Sequence, residues 1–119
     1  TAKANLLDAL KIDPQYFDAN FYLAQIYFIE AHHVKKQMNE LGISAADKKK
    51  RDALDKLLVE KYKIALPYWE RLEKMEAPNK DDQIVILDKL SMIYFDLGEE
   101  AKEARIKKKL DALGVSSTE

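Results

Sequence analysis

Strong turn chemistry appears at only four places in this 119-residue chain: Asp13-Pro14, Leu41-Gly42, Ala77-Pro78-Asn79 and Leu97-Gly98. Apolar residues recur at helical spacing in every interval between them. Four breaks make five helices, expected over roughly residues 2–12, 14–41, 44–76, 80–97 and 99–113. The expected fold class is all-α, in one domain spanning 1–119, because a chain of this length supports one core.

The breaks carry end chemistry. Asp13 is placed to cap the helix after it, with Pro14 in that helix's first turn, where a missing N–H costs nothing. Ser44 with Asp47, and Asn79 with Asp82, have capping-box spacing, with Asp standing for the usual Glu or Gln. Gly42 and Gly98 suit the left-handed residue that ends a helix. Residues 114–119 are expected to fray.

Several function classes lose support. Lys and Arg number 20 against 21 Asp and Glu, so no global field draws the chain to nucleic acid or an anionic surface. There are no cysteines, which removes disulfides, thiolate zinc sites and Cys nucleophiles while leaving the compartment open. No apolar run approaches the ~20 residues of a spanning helix, so no membrane insertion is expected. The 3 glycines are dispersed and form no phosphate-binding loop. His32 and His33 are adjacent, hence about 100° apart around a helix and badly placed to share a metal. Asp81 and Asp82 are explained by capping and the helix dipole, even with Asp88 nearby. No enzymatic activity, cofactor, metal or nucleic-acid partner is expected.

One charged feature stands out. Lys48-Lys49-Lys50-Arg51 lies in a stretch, 35–63, with 9 basic and 5 acidic residues. Asp47, Asp52 and Asp55 interleave with it, and its expected role is a solvated helix face.

A repeat runs through the chain. Asn20-x2-Leu23-Ala24-x2-Tyr27 and Leu87-x2-Leu90-Ser91-x2-Tyr94 share one pattern, and Ala65-x3-Trp69 follows the first of them. Ala2-x3-Leu6, with Ala9 and Pro14, precedes it in phase. These segments resemble the tetratricopeptide (TPR) family, whose 34-residue helix pairs read W-x2-L-G-x2-Y, then A-x3-F, then P. The resemblance implies a right-handed α-α superhelix. In it, 1–13 is the second helix of a repeat whose first helix precedes Thr1, 14–78 is a full repeat, 79–113 is a C-terminal repeat and 114–119 its tail.

The middle repeat is too long for the family. Leu23 and Leu90 lie 67 residues apart, and the second-helix motif at Ala65 comes 29 residues late. Ala31 stands where the third repeat has Gly98, so the helix is expected to run on. Both helices then lengthen into a protruding hairpin over 31–60, about 20 Å beyond the ordinary repeat. Residues 28–41 should run antiparallel to 44–58, with Val34, Met38 and Leu41 facing Leu54, Leu57 and Leu58. Pro67 should kink the second arm near Lys63. In the repeat body Leu23, Tyr27, Ala65, Trp69, Leu90 and Tyr94 should be buried. The last helix keeps an Ile106, Leu110, Leu113 stripe but has Glu103 and Lys107 where the family carries apolar residues, as in a cap with a polar outer face.

TPR proteins are protein-interaction scaffolds that hold a peptide or helix in a concave groove lined by first helices. Carried over residue by residue, that groove comprises Asp18, Phe21, Gln25, Phe28 and Ile29, then Val85, Asp88, Met92, Phe95 and Asp96. It lacks the Lys and Asn with which some relatives clamp carboxylates, and its aromatics suit an apolar or amphipathic segment. Contact with neighbouring helices is the alternative role for Phe21, Phe28 and Phe95. Leu66-Pro67-Tyr68-Trp69 and Ile93-Tyr94-Phe95 are similar to repeats of bacterial, often envelope-associated, TPR proteins, which implies a periplasmic location, with the cytoplasm as the alternative. A structural spacer, a homodimerisation element and a regulatory module of a larger protein are the competing functions.

Overall fold

The computed structural model describes residues 1–75 and 77–115. Among them are five helices and no strands: α1 (Ala2–Ile12), α2 (Phe17–Asn39), α3 (Ala45–Lys74), α4 (Lys80–Leu97) and α5 (Glu100–Ala112). Each packs on its neighbour in sequence, α1 on α2, α2 on α3, α3 on α4 and α4 on α5, with α2 and α3 sharing the broadest contact. The molecule is a plate of 48 × 37 × 19 Å.

The helix ends follow local chemistry with two corrections. Ser44 Oγ accepts from Asp47 N at 3.1 Å, and Asn79 Oδ1 accepts from Asp82 N at 2.8 Å, as their spacing implied. Gly98 has φ 74°, and the Glu99 and Gly98 amides return to the Tyr94 and Phe95 carbonyls, the pattern of a Schellman end. Gly114 repeats it at φ 80°, with Val115 N bonded to Leu110 O, so the expected fraying does not hold for 114–115; residues 116–119 lie outside the described residues.

The first correction is at Asp13, which follows α1 and accepts from Gln15 N instead of capping α2. A turn through Pro14 delays α2 to Phe17. It is held by Asn20, fully buried, whose Nδ2 donates to the carbonyls of Pro14 and Tyr16 while its Oδ1 accepts from Arg71 Nη1 at 2.8 Å. The second is at Gly42, which does not take the left-handed conformation. There the α2–α3 loop is shaped by side chains: Asp47 Oδ2 accepts from Gly42 N, and Arg51 Nη2 donates to the carbonyls of Leu41 and Gly42.

Helix α2 passes Ala31 without a break and forms the long hairpin with α3. Ala31, Val34 and Leu58 are buried, and no residue between Val34 and Leu58 is, so the distal arms project from the core. Leu57 is exposed, outside the expected seam, because Leu54 and Leu58 already fill the side of α3 that meets α2. Helix α3 is continuous through Pro67.

The core gathers α2, α3, α4 and α5 around Trp69, with Leu23, Ala65, Leu90 and Tyr94 fully buried as expected. Tyr27 is a correction: it is half-buried, ringed by Tyr68 at 5.3 Å and by Lys3 Nζ at 5.0 Å from its centroid. In α5 the inward stripe is Glu103, Ile106 and Leu110, so Glu103 turns inward instead of joining the polar outer face, its carboxylate 3.2 Å from Lys107 Nζ. No described helix is long and apolar enough to cross a membrane.

Candidate functional site: the α2–α4 face

Two side-chain bridges join α2 to α4. Lys89 Nζ lies 4.9 Å from the centre of the Phe28 ring, and Lys35 Nζ lies 2.8 Å from Asp96 Oδ2. The bridges are seven residues apart on both helices and in the same order. Helices α2 and α4 therefore run side by side and parallel, in constant register over about 10 Å. Successive hairpins require the same direction, since α3 folds back along α2 and α4 back along α3. The ten expected groove residues all lie on these two helices.

The structure divides those ten. Asp18, Ile29 and Phe95 are exposed, and Phe21, Gln25, Val85, Asp88 and Met92 are half-buried with surface remaining. Phe21 stacks on Phe17 at 5.4 Å and meets Trp69 edge-on at 6.3 Å, which fixes the ring while leaving one side open. Phe28 is a correction: it is buried at 8% exposure, edge-on to Trp69, stacked with His32 and covered by Lys89. Asp96 is another, because its Oδ2 is already shared by Lys35 and by the Tyr62 hydroxyl at 2.6 Å. Burial, together with this carboxylate, pushes the Tyr62 phenol far above its ordinary range, so it stays a hydrogen-bond donor. The middle of the face is bridged; the open surface lies to either side of the bridges.

Helical spacing could not find these bridges. Lys35 and Lys89 look like solvated lysines in the sequence, and their partners lie 61 residues away. A similar polar link backs the face from behind, where Tyr94 donates to Glu70 at 2.6 Å and burial again raises the phenol's pKa.

Of the other sequence features, His32 reaches this face through its stack on Phe28. His32 and His33 are exposed, and no cluster of three or more metal-ligating side chains exists among the described residues. Asp82 is spent on the Asn79 cap. Lys48, Lys49 and Lys50 are exposed at the start of α3, whereas Arg51 belongs to the loop scaffold. No family model, curated protein or solved structure matches the chain.

Proposed function

We propose that this chain is a TPR-like interaction scaffold whose α2–α4 face binds an apolar or amphipathic peptide segment. The observation that carries the reading is the parallel, constant-register pairing of α2 and α4 through Phe28–Lys89 and Lys35–Asp96. In a superhelix of helical hairpins the first helices of successive repeats stand side by side in this way, and their shared face is the binding surface. Here that face displays Phe21, Ile29, Met92 and Phe95 on a backbone already fixed by polar bridges, so little ordering is required on binding. Exposed aromatics on rigid elements are the usual anchors of such interfaces.

A peptide selected from a displayed random library against the 119-residue chain provides the test. Replacing Phe21 and Phe95 together with Ser should weaken it at least ~10-fold, while Lys48, Lys49 and Lys50 changed to Ser should leave it unaltered. The reverse pattern rejects the reading.

A second reading, a spacer or homodimerisation element, draws on the exposed Leu57 and Ile64, two turns apart on α3. Light scattering across concentration separates it: a mass that doubles with concentration and stays monomeric in Leu57→Ser/Ile64→Ser supports association through α3.

A further inference from the structure

We infer that the tip of the α2–α3 hairpin is a docking site for an anionic lipid surface, with Ile43 as a shallow apolar wedge and Lys48, Lys49 and Lys50 as contacts to the headgroups. Ile43 is 100% exposed at the apex of arms in which no residue from 35 to 57 is buried. Loop flexibility does not account for it. The backbone beside it is held from both sides, by Asp47 Oδ2 on Gly42 N at 2.9 Å and by Arg51 Nη2 on Gly42 O at 2.8 Å, and Ser44 then caps α3. The fold spends an acid, an arginine and a serine on presenting an isoleucine to solvent.

The lysines ring the same end of the hairpin. In a helix the Cα–Cβ bonds tilt toward the N-terminus, which for α3 is the hairpin apex, so Lys48, Lys49 and Lys50 fan around the apex end of α3, each about 100° from the next. None of the three forms an ion pair with another described residue, and all are exposed. They follow directly on the first turn of α3, which carries Asp47. Glu40, Asp47 and Asp52 share the tip with them, Asp47 accepting from Gly42 N, so residues 40–52 carry 4 basic and 3 acidic side chains. Residues 35–63 carry 9 basic and 5 acidic residues in a chain whose net charge is −1, so positive charge is concentrated on the arms.

The shape selects the occupant. A single apolar side chain on a convex apex offers no groove to a peptide, whereas a soft planar surface admits it and meets the lysines at once. One apolar wedge with a basic cluster supplies the two signals that peripheral binding needs, and the binding is weak and reversible. This site is independent of the α2–α4 face.

The test is co-sedimentation of the chain with vesicles of phosphatidylcholine alone and of equal parts phosphatidylcholine and phosphatidylglycerol, at low and physiological salt. The chain should partition to the anionic vesicles only, less so at higher salt. Each lysine contributes about fivefold near such a surface, so Lys48, Lys49 and Lys50 changed to Ser should lower partitioning about 100-fold. Ile43→Ser should lower it about fivefold. All four side chains are exposed, so circular dichroism should show unchanged helicity. A chain that stays in the supernatant with anionic vesicles at low salt overturns the proposal, and an acidic protein partner then becomes the reading of the tip. Ile43→Ser binding as well as the parent chain also overturns it, since only unspecific charge attraction would remain.

Discussion

Lys35 Nζ lies 2.8 Å from Asp96 Oδ2, joining two helices 61 residues apart in sequence, and the Tyr62 hydroxyl of a third helix donates to the same oxygen. One carboxylate thus ties α2, α3 and α4 at the point where the long hairpin leaves the core. Asp96→Ala should cost about 2–3 kcal/mol, because it strands a buried hydroxyl as well as removing an ion pair. Lys35→Met should cost less than about 1 kcal/mol, since Lys35 is one-third exposed. In urea denaturation, Asp96→Ala with Tyr62→Phe should lose less than the sum of the single changes. Strict additivity would show that the three helices are not coupled here.

Trp69 of α3 is fully buried against α2, meeting both Phe21 and Phe28 edge-on. Trp69→Ala should cost about 3–5 kcal/mol. Its Nε1 has no hydrogen-bond partner among the described residues, so Trp69→Phe should lose volume and no bond, at about 1–2 kcal/mol. A loss below about 1 kcal/mol for the alanine variant would contradict the assigned environment.

Phe28 and Phe95 look equivalent in the repeat pattern and should behave oppositely. Phe28→Ala removes a buried ring and the seat of Lys89, and should cost about 3 kcal/mol. Phe95→Ala changes a ring that is 58% exposed and should stay within about 0.5 kcal/mol in the same titration.

These cases show which parts of the molecule are legible in the sequence. The helix count is, because Gly98, Asn79 and Ser44 act on their own neighbours. The long hairpin is too, since Ala31 in place of a glycine lets the helix continue into residues with a matching apolar seam. What periodicity misses comes from distant partners. Asp13-Pro14 has the local form of a helix start, but Asn20 and Arg71, 51 residues apart, hold that stretch as a turn. Phe28 lies on the expected face of α2, and only the arrival of Lys89 from α4 closes it.

Acid should weaken the α3–α5 junction through Glu73. Burial alone would raise its pKa, but hydrogen bonds from Arg105 and Lys109 outweigh this and hold it below the ordinary 4.5. A depressed carboxylate stabilises the fold above its unfolded pKa and loses that contribution as the pH falls through the folded value. The melting temperature should therefore fall below about pH 4.5. Glu73→Gln should be less stable than the parent chain at neutral pH, and the gap should narrow in acid. A gap unchanged down to about pH 2 would show that the pair contributes nothing.

The binding reading is tested most directly by chemical-shift mapping of the isotope-labelled chain against a peptide selected for binding it. Shifts should concentrate on Phe21, Gln25 and Ile29 of α2 and on Val85, Met92 and Phe95 of α4, leaving α1, α5 and the hairpin tip unchanged. Shifts centred on α1, on α5 or on residues 40–51, with the α2–α4 face silent, would contradict the account.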